Sequence, residues 1–297
     1  MTRILVASIR YWYPDIPIAL IKDELLGNFD TIALEKYFNV SVFPMKTKKF
    51  GWGFSKFEAF FGEEKKRFLM LDADIIFVGP VLDSLEKFNE DFVVHNEPFT
   101  KESLYKYYFN LEKLCEYDPS FQFPGFTFNT GQIAGTSGIL SRKDFEELIR
   151  WTEPRILLRR DVFTFGGEQP VVNYILMKKM TRNEISLKRF DFMREGLHPD
   201  TRSVRLENII SKKGYPFLIH WHDKKPNIFH PSMKEVPRND LLLYFENIFY
   251  RNIPAGTIRK FMTIHFERID DKMRMNWMPL VKSILLFKKP PKKISER

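Results

Sequence analysis

The sequence predicts an α/β protein, a mostly parallel central sheet flanked by helices, with a helical extension at the C-terminus. Strand-like and helix-like segments alternate over the first hundred residues, and the strands are near-continuous apolar runs, the pattern of a sheet covered on both faces. Length agrees with this, since 297 residues can bury a substantial core.

The elements follow in order. Residues 16–23, IPIALIKD, read as a buried strand with a polar end; residues 31–38, TIALEKYF, as a helix; residues 39–45, NVSVFPM, as a second strand. A Gly-rich stretch, KKFGWGFSKFEAFF, precedes a strand in RFLMLDADIIF, residues 67–77. DSLEKF resumes helical character and DFVVHNE is a further short strand. Residues 3–9, RILVASI, fit two readings. They suit a first strand, but Ile4, Leu5, Ile9 and Trp12 also share a helix face that Pro14 would end. The helix is preferred, and with it the chain begins inside a βα unit without the usual first strand.

Beyond residue 100 the pattern loosens. FTFNTGQIAGTSGILS reads as strand–turn–strand, RKDFEELIRWTE as an amphipathic helix, and GGEQPVVNYILMKKM as a helix entered through Gly166 and Gly167. PFLIHWHDKKP is a strand running into a polar loop, and NDLLLYFENIFYR a late helix. Residues 1–235 are read as the main domain and 236–297 as a helical, basic extension.

Cys115 is the single cysteine, so no intrachain disulfide forms, which suits a reducing compartment. The N-terminal residues lack an apolar signal-peptide core, and no run approaches the ~20 apolar residues of a membrane span. The expected location is cytoplasmic. Of the formal charge of +9, residues 259–297 carry +7, from eleven Lys and Arg against four acids. No zinc-finger spacing, RNP-like motif or base-reading basic helix accompanies that charge, so a nucleic-acid partner is not expected. The tail NWMPLVKSILLFKKPPKK mixes apolar residues with lysines. It suits either a docked helix with a solvated end or peripheral contact with a membrane surface. The 30 Phe, 11 Tyr and 5 Trp can pack a core or line a sugar or nucleobase pocket.

Four short motifs carry chemistry. Asp72 and Asp74, one residue apart near the end of a buried strand, would share a face if the strand held through residue 74, and a turn could also aim both at one cation. Hard oxygen donors at this spacing suit Mg²⁺ or Mn²⁺ bridging to a diphosphate; the competing reading is a strand end and a turn. In IHWHDKKP, His220 could complete the coordination and favour Mn²⁺, and the lysines could neutralise phosphate, or the loop is merely solvated. In FNTG, Asn129 and Thr130 offer polar groups and Gly131 permits close backbone approach, as a tight turn would also require. Glu168 and Gln169 open a helix, where the positive dipole end favours a polar or anionic ligand and also favours simple capping.

In this order the motifs resemble the GT-A glycosyltransferases, most nearly the glycogenin-like family 8, over roughly residues 16–230. The resemblance implies a GT-A (Rossmann-like) fold and transfer of a sugar from a nucleoside-diphosphate donor, UDP foremost, to a hydroxyl of a carbohydrate, lipid or protein acceptor, with Mn²⁺ or Mg²⁺ as cofactor. By position, Asp72, Asp74 and His220 match its metal ligands. Lys56, Asp72, Asn129, Thr130, Gly131, Asn173 and Lys225 match donor-binding positions, and Glu168 and Gln169 stand nearest the reacting carbon. The last motif departs from the family's H-x-x-G-x-x-K-P-W: its His-to-Lys gap is one residue shorter, Asp223 replaces Gly and Asn227 replaces Trp. His220 and His222 both remain candidates for the ligand. The family retains anomeric configuration; an inverting reaction would need a carboxylate base, with Glu168 or Asp223 to serve. Two other classes compete, a nucleotide-sugar-binding protein without catalysis and a nucleotidyltransferase, although the latter's Gly-rich triphosphate loop is not found.

Overall fold

The computed structural model describes residues 1–23, 29–45, 53–151, 156–221 and 236–266. The chain opens with helix α1 (Thr2–Trp12), strand β1 (Ile18–Leu20), helix α2 (Ile32–Phe38) and strand β2 (Val40–Val42). A 3-10 helix, Phe54–Ala59, leads to β3 (Arg67–Leu71), β4 (Ile75–Phe77), α3 (Val81–Leu85) and β5 (Phe92–His95). Then come α4 (Lys101–Tyr107), α5 (Leu111–Tyr117), β6 (Gln132–Thr136) and a small hairpin of β7 (Ile149–Arg150) and β8 (Ile156–Leu157). Helix α6 (Gln169–Thr181), β9 (Leu187–Phe190), β10 (Met193–Glu195), α7 (Pro199–Ser203), α8 (Leu206–Ile210), β11 (Leu218–His220) and α9 (Asn239–Arg251) complete the named elements, and residues 256–266 are helical.

The N-terminal segment is the helix its apolar spacing suggested, with Ile4, Leu5 and Ile9 buried. Its Ser8 hydroxyl donates to the Leu5 carbonyl at 2.7 Å and accepts from the Phe77 N–H of β4 at 3.0 Å. A side chain of α1 thus satisfies a strand N–H that would otherwise be buried without a partner. Helix α9 packs in the same core as α1, through Leu241, Leu242, Phe245 and Phe249 beside Ile4, Val6, Ile76 and Ile219.

The α/β class holds, but the ladders are mixed rather than mostly parallel: among the described residues three are parallel and four antiparallel. The order β3-β6-β5-β9 explains this. Strand β6 inserts antiparallel to both neighbours, between β3 and β5, and only β5 and β9 run together. A second sheet, β10-β11-β4, pairs β11 antiparallel to β4 and parallel to β10.

Two expectations are corrected locally. FTFNTGQIAGTSGILS forms one strand, β6, followed by a turn through Gly138 at φ +73°. RKDFEELIRWTE is not a long helix. Ser141 and Asp144 cap each other reciprocally around a 3-10 turn, Arg142–Phe145, and the chain then enters β7. Tertiary packing overrides helix propensity here, because Phe145 and Trp151 close edge-on around Phe57, with centroids at 4.7 and 5.8 Å.

Most of the aromatic excess is core. Phe57, Phe60, Phe92, Phe109, Phe128, Phe145 and Phe163 belong to one cluster and are almost fully inaccessible. Among the described residues no helix is long and apolar enough to cross a membrane.

His95, at the end of β5, is buried against Phe192, and burial pushes its pKa down to about 4, with Asp191 opposing only in part. A histidine kept neutral in the fold but protonated in the unfolded chain contributes stability that is complete above pH 6.5 and is lost as pH falls towards 4. Replacing His95→Gln should remove about 3 kcal/mol of the fall in unfolding free energy across that window, read from urea denaturation. An unchanged slope would contradict this account of His95.

Candidate active site

Strand β3 does not run through Asp74. The chain leaves the β3-β6-β5-β9 sheet at Leu71 and enters the β10-β11-β4 sheet at Ile75, with residues 72–74 as the link. The turn, not a shared strand face, therefore aims the two aspartates. Both ends of the link are pinned by backbone: Asp72 N–H donates to the Gly131 carbonyl at 2.6 Å, and Trp221 N–H donates to the Asp74 carbonyl at 3.1 Å. His220 ends β11 opposite Ile75, and this register carries its imidazole to the link. Its Nε2 lies 3.3 Å from Asp74 Oδ1 and 3.9 Å from Asp72 Oδ2. One ligand atom from each of the three residues falls within 4.8 Å of the others. Asp74 and His220 are buried, while the Asp72 side chain is about one-third exposed, at 32%.

Gly131 closes the cradle. A Cβ built there would stand 2.5 Å from His220 Cε1, 2.8 Å from Asn129 Oδ1 and 3.1 Å from Asp72 Oδ2. Two carboxylates and an imidazole, with no side chain at Gly131 between them, are a donor set that could hold a divalent metal ion.

On the other side of Asp72 stands Lys56, delivered by the 3-10 helix. Its ammonium lies 2.6 Å from Asp72 Oδ1 and 2.7 Å from Glu168 Oε1, and donates to the Thr130 carbonyl at 3.3 Å. Burial alone would lower the pKa of Lys56; the attraction of Asp72 and Glu168 more than reverses this and holds the ammonium above the ordinary lysine range. Thr130 Oγ1 donates to the same Glu168 oxygen at 3.1 Å. Gly53, at φ +80°, makes room for that carboxylate: a Cβ there would lie 2.3 Å from Glu168 Oε2. Asp72, Asp74 and Glu168 against Lys56 leave two formal negative charges, with the imidazole counted as neutral. A divalent cation would balance them.

The remaining expected residues divide into those at the mouth and those behind it. Gln169 is half-buried; its Oε1 accepts from Thr130 N–H at 3.3 Å and its Nε2 donates to the Tyr107 carbonyl at 3.5 Å. Asn129 accepts from Gly131 N–H at 2.6 Å, so its carbonyl shapes its own loop. Asn173 is not at the mouth. Wholly buried on α6, it grips Phe128 through both amide atoms, at 3.0 and 2.8 Å, and also donates to the Gln169 carbonyl at 3.0 Å. It braces the loop carrying Asn129–Gly131 and is out of a ligand's reach. Lys225, His222 and Asp223 lie outside the described residues. Gly53 was missed from sequence; its one signal is the GWG run before Lys56, where an αL turn and a close carboxylate both require glycine.

No protein-family model and no curated protein sequence matches the chain. A solved structure does: the galactosyltransferase LgtC in complex with donor and acceptor sugar analogs, at a TM-score of 0.50 and 13% identity, over 85% of this chain and 93% of that one. The fold is that of a glycosyltransferase. Within it, the acidic group and the Lys56 pair stand together where the two sheets meet.

Two variants test the geometry. Lys56→Met should cost about 3–5 kcal/mol at neutral pH, because it leaves two poorly solvated carboxylates facing each other, and the loss should shrink as acid protonates them. Denaturation at pH 7 and pH 4 checks both statements. Gly131→Ala should weaken divalent-cation binding at least tenfold, read by calorimetry with Mn²⁺, with secondary structure retained by circular dichroism.

Proposed function

We propose that the protein is a divalent-cation-dependent glycosyltransferase that moves a sugar from a nucleoside diphosphate, UDP in the first instance, to an acceptor hydroxyl. One observation carries the reading: Asp72, Asp74 and His220 converge beside a Lys56–Glu168 pair in a chain with a glycosyltransferase fold. The imidazole in the donor set favours Mn²⁺ over Mg²⁺. A cation bound there supplies positive charge to a departing diphosphate.

The chain's own residues orient and hold. Asp74 and His220, fixed by the backbone of the link and β11, provide the rigid half of the cradle; Asp72 provides the open half. Lys56 pairs with both Asp72 and Glu168 and holds the two carboxylates in place. Glu168 is almost closed off behind Lys56 and Thr130, so it acts as a positioning residue. Gln169, half-buried at the start of α6, is the group we assign to the donor sugar. In the transfer the bond from the anomeric carbon to the phosphate oxygen breaks and its electron pair leaves with the diphosphate. The acceptor oxygen forms the new bond, and its proton passes to the departing phosphate oxygen. Lys225, five residues after His220, is assigned to the diphosphate. Retention of configuration is the outcome implied by the likeness to the glycogenin-like family, and it calls for no carboxylate base at the acceptor.

A screen of UDP- and GDP-sugars with and without Mn²⁺, reading nucleotide release, tests the proposal. One donor should be turned over only with the metal, and Asp74→Ala should lower that turnover at least a hundredfold. Equal turnover by the Asp74→Ala variant sinks the metal assignment, and no turnover of any donor sinks the enzyme.

A further inference from the structure

The site gathers three carboxylates and one ammonium, and the four side chains are mostly buried. Lys56 differs from a surface lysine in being held from three sides. Its ammonium meets Asp72 Oδ1 at 2.6 Å, Glu168 Oε1 at 2.7 Å and the Thr130 carbonyl at 3.3 Å. Its backbone N–H donates to the Gly53 carbonyl at 3.0 Å, and Phe54 and Phe57 of the same 3-10 helix are buried in the core. Asp72 is divided between two directions: Oδ1 is taken by Lys56, and Oδ2 lies 3.9 Å from His220 Nε2.

We infer that Lys56 is the specificity-determining residue of the cation site, a built-in counter-cation that fits it to a divalent ion and against a trivalent one. The inference rests on the metal assignment made above and adds what selects the ion. Donor chemistry alone does not draw this line, because carboxylate oxygens take any hard cation. Charge draws it. With Lys56 in place, Asp72, Asp74 and Glu168 leave two formal negative charges, which a divalent ion brings to zero. A trivalent ion would leave an excess positive charge. Without Lys56 three negative charges remain, so the trivalent ion balances them and the divalent ion falls short. Attraction grows as the product of the charges and is weakly screened among buried groups. One unit of site charge therefore weighs more on a trivalent ion than on a divalent one.

The same sum bears on the diphosphate that the proposal brings to the site. A site with three negative charges would keep one after taking up a divalent ion, and that charge would oppose an arriving anion. With Lys56 the loaded site is neutral, and this repulsion is gone. Lys56 supplies the balancing charge from Oδ1 of Asp72, the oxygen opposite the one nearer His220, so it leaves the ion's side of the carboxylate open.

The test measures Mn²⁺ binding by electron paramagnetic resonance and Tb³⁺ binding by luminescence, at one pH and ionic strength, on the intact chain and three variants. Lys56→Gln leaves three negative charges and Glu168→Gln leaves one. The double variant returns to two, with a pair of amides in place of the ion pair. The ratio of Tb³⁺ to Mn²⁺ affinity should rise roughly tenfold or more in Lys56→Gln and fall roughly tenfold or more in Glu168→Gln. In the double variant it should return to within about threefold of the intact chain. Circular dichroism reports the fold of each variant. Should Lys56→Gln not fold, Glu168→Gln, which keeps the Lys56–Asp72 pair, decides by the same ratio. A ratio unmoved in the folded single variants, or a double variant that keeps the shift of either one, overturns the inference. Mn²⁺ binding to the intact chain with an unmoved ratio removes the role of Lys56 alone. No Mn²⁺ binding to the intact chain removes the metal assignment and this inference with it.

Discussion

The Lys56 ammonium between Asp72 and Glu168 is the contact on which the site depends. It joins three parts of the chain far apart in sequence: the 3-10 helix, the link between the sheets and the start of α6. A mostly buried ammonium is stable only with its counter-charges in place, and two mostly buried carboxylates are stable only with theirs. Each member therefore fixes the others. The pair at Glu168 also draws in Thr130, whose hydroxyl shares the same oxygen, so the loop before β6 is tied to the charge network. Net charge then has one remaining side to fall on. Lys56 neutralises Glu168 and one oxygen of Asp72, and the uncompensated charge faces His220.

Backbone geometry turns that charge into a site. The link 72–74 belongs to neither sheet, yet it is held by a hydrogen bond to each, from the Gly131 loop on one side and the end of β11 on the other. Any shift of one sheet against the other would change the separation of Asp72 and Asp74. Asn173 opposes such movement from below, since its amide binds Phe128 on both edges and anchors the loop to α6. Two glycines leave the space: Gly131 beside the imidazole and Gly53 beside the Glu168 carboxylate. A methyl group at either position would occupy the volume that the charged groups need.

Much of this was legible in the sequence, though unevenly. Strands rich in Ile, Val, Leu and Phe announced β3 to β5, and a run of apolar residues at helical spacing announced α1 and α9. The acidic group was legible as a D-x-D with a downstream histidine, and His220 reaches the link because its register opposes Ile75. The mixed ladder was hidden, because an antiparallel β6 between β3 and β5 is decided by pairings about forty to seventy residues apart, which no local pattern records. Residues 142–153 misled for the same reason, a helical period overruled by Phe57, Phe145 and Trp151. Asn173 was read as a donor contact because it matches a donor-binding position of the glycogenin-like family. In the structure its amide is taken up by the Phe128 backbone, at the back of the loop it supports.

The charged site is not the cavity that lies beside α1 and α9. A cavity of about 550 Å³ lies among Met1, Arg3, Phe29, Leu34, Tyr250 and Phe266, between α1, α2, α9 and residues 256–266, and none of the charged site residues lines it. The acidic group is recognised instead by what burial demands of it. An apolar hollow costs little when empty, whereas Asp74 at 6% exposure and His220 at 2% are placed together only where position matters more than stability. The exposure of Asp72 gives the site a direction. The half-buried Gln169 donates through its amide to the Tyr107 carbonyl. The Asp72 carboxylate is thus the accessible part of the group, and Asp74 and His220 are its buried part.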